Sequence, residues 1–256
     1  MTRRYWPVLL AAVALLAGCG TDFVRDSAEL DRALVPAIDF TFHREPGLAR
    51  AALAELLPAW AEFAERHRDA RPDEPGWAET FAEIDTLVED VADMVESGED
   101  LVFAAENLVD MRMMLAELRG TAGVNYLPDH LGELWEPVEE LDRLAQRRGT
   151  EELAPADLTA LAVLLDEFDE LLQDLVEARF EPGRFGFDRD RVEEYLAGLD
   201  ALADAGAELA LALEAANLDR ALLIGRSFRP LFFDVYRLFG DYALAPPADE
   251  TDPDNS

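Results

Sequence analysis

Apolar residues recur at every third or fourth position along nearly all of this chain, and that spacing admits one class of fold. Phe81, Ile84, Leu87, Val88, Val91, Met94 and Val95 fall on one side of a cylinder with 3.6 residues per turn. No stretch alternates apolar and polar residues as a half-buried strand would. The prediction is an all-α protein, an antiparallel helical bundle of about eight helices in which each helix buries one stripe. Half of the residues are hydrophobic, enough for a core, and a lone cysteine, Cys19, leaves no intrachain disulfide to assist it.

Turn signals place the helices. Asp26 and Glu29 form a capping pattern ahead of Leu30, Ala33, Leu34 and Ala37, with Pro36 expected to break the first helix. A second helix carries Leu53, Leu56, Leu57, Trp60 and Phe63, kinked at Pro58, and the loop Arg71-Pro72-Asp73-Glu74-Pro75-Gly76 separates it from the third. Gly98 ends the third helix. The fourth turns Leu101, Ala105, Leu108, Met111, Leu115 and Leu118 inward and stops at Gly120-Thr121-Ala122-Gly123. A fifth helix carries Leu131 to Leu144, a sixth runs from Leu158 to Leu175, a seventh holds Val192 to Leu213, and an eighth spans Leu218 to Phe239, kinked or split by Pro230.

The two halves resemble each other. Ile84-Asp85-Thr86-Leu87 parallels Leu199-Asp200-Ala201-Leu202; Met111-Arg112 corresponds to Phe228-Arg229, Glu117 to Asp234, and Gly123 to Gly240. Offsets that grow smoothly along the chain point to two duplicated four-helix units. Charges kept at equivalent places on otherwise apolar helices make Arg112, Arg229, Glu117 and Asp234 candidates for a ligand or partner seam between the halves, joined by the aromatic residues Tyr126, Trp135 and Tyr242 near helix ends.

Charge narrows the partners. The chain holds 55 acidic and 22 basic residues, a formal net charge of -33, and every basic residue is arginine. Such a surface repels phosphate backbones, so no nucleic acid is expected as a partner. The acids are spread along every helix, which fits a high-salt habitat where screening relieves self-repulsion; a surface that attracts cations or a basic protein partner is the competing reading.

The first residues carry an address. Thr2-Arg3-Arg4 is a positive start, Val8 to Leu16 an apolar core too short to span a bilayer, and Leu16-Ala17-Gly18-Cys19 follows. This arrangement resembles a bacterial lipoprotein signal. The resemblance implies that the leader is removed before Cys19, that Cys19 carries a covalent lipid such as palmitate, and that the protein is membrane-anchored facing the periplasm. Gly20, not Asp, follows the cysteine, which by the same resemblance favours the outer membrane over the inner. The expected organisation is a signal peptide at 1–18, a lipidated spacer at 19–26, helical units at 27–126 and 127–243, and a disordered acidic tail at 244–256.

Reaction chemistry is not legible. No Gly-x-Ser-x-Gly element is present, and paired carboxylates are uninformative in so acidic a chain. Covalent haem attachment would need Cys-x-x-Cys-His, which is missing. His130-Leu131-Gly132-Glu133 resembles the Gly-x-His-x-x-Glu signature of imelysin-like periplasmic proteins, with Pro128 in the glycine's place, but flanking the fifth helix is the simpler role for His130. His43 and His67, each beside an arginine, are expected on solvated faces. The reading is a non-enzymatic lipoprotein that binds a partner protein or small ligand, with no metal and no cofactor beyond the lipid on Cys19. The alternative is a periplasmic haem or metal carrier, for which His67 with Met111 is the pair that can be drawn.

Overall fold

The computed structural model describes residues 6–98, 100–146 and 155–243, with side chains described from residue 22 and, after the second gap, from residue 158. The expected signal peptide and Cys19 lie outside the residues whose side chains are described, and the expected tail at 244–256 lies outside the described residues altogether.

The described chain is all-α. Its helices are α1 (Trp6–Phe42), α2 (Pro46–His67), α3 (Trp77–Ser97), α4 (Leu101–Thr121), α5 (Leu127–Glu133), α6 (Trp135–Gln146), α7 (Pro155–Glu177), α8 (Pro182–Phe185), α9 (Arg189–Glu214), α10 (Leu218–Gly225) and α11 (Phe228–Tyr236), followed by a 3-10 turn at Arg237–Phe239. They form two compact units, one running to Asn125 and taking the chain back from Phe239, the other Tyr126–Leu238. The first unit is therefore discontinuous, which the division at 126/127 does not foresee.

In the first unit, α1 packs on α2 and α4, and α3 closes the ring by packing on both α2 and α4. Short connections make successive helices antiparallel. The buried stripe of α3, Trp77, Phe81, Ile84, Val88, Val91 and Val95, advances by four and three residues in turn, as a single helical face requires. Gly98 stops that helix with a φ of 69°, a left-handed conformation that a β-carbon would strain. Asp100 then caps α4 by accepting from the Phe103 N–H at 3.2 Å. All six residues expected to face inward on α4 are buried; Leu57 of α2 lies outside its helix's stripe and is exposed.

Three local expectations are corrected here. Asp26 is not an N-cap: it lies inside α1, and Phe23, Val24 and Asp26 are all buried, so the last residues of the expected spacer belong to the core. Pro36 does not break the first helix, which continues through it to Phe42. A proline has no N–H for the carbonyl four residues earlier, and the Arg32 carbonyl instead accepts from the Asp241 N–H at 2.8 Å. The chain end beyond the second unit thus returns to repair the hydrogen bond that Pro36 cannot make. Gly240 makes the approach possible, since a β-carbon there would stand 3.0 Å from Pro36 Cδ.

The second unit repeats the ring: α6 packs on α7, α7 on α9, α9 on α10 and α11, and these two on α6. Its helices are more interrupted. The expected fifth helix is divided into α5 and α6 at Leu134, and the eighth into α10 and α11 at Arg226–Ser227. In α6 and α11 the prolines Pro137 and Pro230 sit in the first turn, where an N–H has no partner within the helix to lose.

Candidate functional site

One end of the first unit, where the middle of α1 (Asp22–Asp26), the end of α2, the start of α3 and the end of α4 meet, encloses a cleft of about 760 Å³. Its centre is a buried pair, Asp26 of α1 and His67 of α2, only 5% and 8% exposed. His67 Nε2 lies 2.9 Å from Asp26 Oδ2. An ionised carboxylate only accepts, so Nε2 carries the hydrogen and donates it. Arg25 donates through Nε and Nη2 to Asp26 Oδ1 at 3.1 and 2.9 Å, and Arg66 Nη1 stands 3.3 Å from Oδ2. Burial by itself would raise the Asp26 carboxyl, but the hydrogen bonds from Arg25, His67 and Arg66 outweigh it and hold the group below its ordinary range. Burial likewise pushes the His67 imidazole below its ordinary value, against the pull of Asp26, so the ring is neutral at pH 7. No described residue hydrogen-bonds its Nδ1, which is left as an acceptor.

Aromatic packing fixes this geometry. Phe23 meets His67 edge-on at 4.8 Å and Trp77 at 5.7 Å, while Phe63 lies 4.7 Å from the His67 ring. Trp77 donates through Nε1 to the His67 carbonyl at 2.9 Å. Arg71 lies over the Trp77 ring at 5.6 Å and donates to the carbonyls of Thr121 and Ala122 at the end of α4, a favourable place for a cation. Among the described residues Arg71, Asp73 and Glu74 make no ion pair. The rim therefore offers charges of both signs over an apolar floor.

The pH dependence follows from the two shifts. Because native His67 releases its proton more readily than the unfolded chain does, its contribution is complete above the ordinary value of 6.5 and is lost as pH falls below it. Asp26, more acidic when folded, adds a second loss below 3.8 as the pH falls through its folded value. Thermal unfolding between pH 8 and 4 is expected to show a falling midpoint below pH 6.5. His67→Gln should flatten the upper part of that fall, and an unchanged profile in this variant would remove His67 as its source.

None of the seven residues proposed for a seam lines this cleft. In the first unit, Arg112 is half-buried on α4, Glu117 is exposed, and Tyr242 donates to Asp39 Oδ2 at 3.1 Å and packs against Phe40. In the second unit, Arg229 pairs with the buried Asp142 at 3.1 Å, tying α11 to α6. There Asp234 is exposed, Tyr126 is buried against Phe185, and Trp135 packs on Phe232 and Phe233. His43 lies at the surface beside Asp39, and His130 stands 3.5 Å from Glu133. His67 is not on a solvated face. Met111, its candidate partner for haem, is fully buried on α4, while His67 Nε2 is engaged by Asp26. Among the described residues no cluster of three or more His, Cys, Asp or Glu is arranged to hold a metal ion.

The site residues were partly visible in the sequence. Leu53, Leu56, Trp60, Phe63 and His67 advance by three and four residues in turn, which puts His67 on the apolar stripe of α2. Asp26 follows Phe23 by three and precedes Leu30 by four, the same geometry on α1. Compared with protein-family models, with curated proteins and with solved structures, the chain matches none.

Proposed function

We propose that this protein is a non-enzymatic, membrane-anchored lipoprotein facing the periplasm, with the outer membrane favoured, that works by binding a small ligand in the cleft of its first unit. The observation that carries the binding half is the cleft itself, where an apolar floor of Phe23 and Trp77 is surrounded by a few convergent polar groups with one imidazole nitrogen left as an acceptor. That combination of apolar lining and sparse oriented polar groups is the usual make-up of a small-ligand site. The anchor half rests on the resemblance of Leu16-Ala17-Gly18-Cys19 to a lipoprotein signal. Cys19 precedes the first cleft residue, Asp22, by three residues, so even a fully extended chain keeps the cleft within about 11 Å of the attached lipid. Mass spectrometry of protein isolated from native membranes should show a new N-terminus at Cys19 carrying acyl chains. Cys19→Ala should move the protein out of the lipid-modified fraction. A bare thiol on native material would remove the anchor.

A further inference from the structure

We infer that the cleft holds a phosphate–ammonium zwitterion of the kind found in phospholipid headgroups, an inference that rests on the small-ligand reading above and names the class of ligand. Asp26 is neutralised internally by Arg25 and Arg66 and accepts a hydrogen bond from the neutral His67, so it leaves no net demand for a counter-ion. What remains for a ligand is charge of both signs on one short stretch of chain. Arg71 is a cation without a carboxylate partner among the described residues, and Asp73 and Glu74, two and three positions on, are exposed carboxylates that make no ion pair there. His67 Nδ1 adds an acceptor able to take an N–H from an ammonium group.

Asp22 is already paired with Arg25 at 3.4 Å, so a ligand carrying only an anion would satisfy Arg71 and face Asp73 and Glu74 without compensation; one carrying only a cation would do the reverse. A zwitterion meets both. The whole-chain charge of -33 acts in the same direction, because it opposes anionic headgroups over a Debye length and exerts no net force on a neutral zwitterion. Position supplies the source. The cleft begins three residues after the expected lipid attachment point, so headgroups of the bilayer are the phosphate–ammonium zwitterions within its reach.

Calorimetric titration of the membrane-purified full-length protein in a non-ionic detergent tests the assignment with four probes: glycerophosphoethanolamine, glycerophosphoglycerol, ethanolamine and inorganic phosphate. Glycerophosphoethanolamine is expected to bind at least tenfold more tightly than the other three. Equal binding of glycerophosphoglycerol or inorganic phosphate would make the cleft a plain anion site and overturn the inference; so would failure of all four. A fifth arm, a short-chain diacyl phosphatidylethanolamine below its micelle concentration, separates the sources: tighter binding than the free headgroup identifies the lipid, and equal binding identifies a soluble zwitterion.

The double variant Asp73→Asn with Glu74→Gln changes only exposed side chains without ion pairs among the described residues, so it should fold. It should lose the preference for ethanolamine-bearing probes while binding inorganic phosphate no more weakly; an unchanged preference would overturn the role of these carboxylates. Acyl analysis of Cys19 in the same preparation reads the anchor separately. Lipidated protein that binds none of the probes ends the headgroup assignment and leaves the anchored-binder reading standing.

Discussion

Trp77→Ala is expected to lower the stability of the protein by about 3–5 kcal/mol, the range for removing a large aromatic side chain from a core. The indole is buried and joins three parts of the first unit: it packs on Phe23 of α1 and on Phe81 of its own helix at 5.7 and 5.8 Å, and it donates to the last carbonyl of α2 at 2.9 Å. It also supports Arg71, which in turn holds the end of α4. Truncation thus leaves a cavity at the point where the ends of α2, α3 and α4 meet the middle of α1. Trp77→Phe keeps most of the packing and gives up the indole hydrogen bond, a loss of about 1 kcal/mol. Denaturant unfolding followed by circular dichroism measures both, and similar losses for the two variants would show that the hydrogen bond, not the volume, holds this end together.

Ending the chain after Leu238 should cost about as much, roughly 3–5 kcal/mol, although it removes only residues downstream of the second unit. Phe239 is buried, and losing such a side chain forfeits about 1.5–3 kcal/mol. Losing the Asp241 N–H leaves the Arg32 carbonyl without its partner beside a proline, which adds about 1–3 kcal/mol where the group is shielded from water. Tyr242 contributes its hydrogen bond to Asp39 as well. A second substitution makes the mechanism testable. Alanine at position 36 supplies the N–H that Pro36 lacks, so Arg32 regains an acceptor's partner within α1. The truncation should therefore cost less in a Pro36→Ala background than in the native one, and equal losses would show that the returning segment acts through Phe239 packing alone.

Helix positions and inward faces were legible because they depend on spacing. Residues three and four apart share a face whatever the rest of the chain does, so the stripes of α3 and α4 emerge from the sequence. Stop signals were legible for a similar reason: a left-handed residue after a helix favours glycine at Gly98 and Gly123. The buried polar residues were not. Asp26, Asp31, Asp39 and Arg119 are charged side chains, which a sequence reading assigns to water by default. Two of them meet partners from distant parts of the chain: His67 meets Asp26 across 41 residues, and Tyr242 reaches Asp39 across 203.

Prolines show the same divide. That Pro36 removes one helical hydrogen bond is a property of the residue; whether the helix breaks depends on whether another group reaches the orphaned carbonyl. Here the group is the Asp241 N–H, more than two hundred positions away, brought to Arg32 by the folded first unit.

The sequence by itself determined the all-α class, most helix boundaries and the strongly acidic character. Each of these follows from neighbours within a few residues or from composition. Only the tertiary structure decided that His67 and Asp26 form a buried pair, that Arg71, Asp73 and Glu74 rim one cleft, and that Arg229 pairs with the buried Asp142. Burial and partnership between side chains on different helices depend on how those helices are rotated and aligned, and periodicity fixes which face turns inward without saying what it meets there.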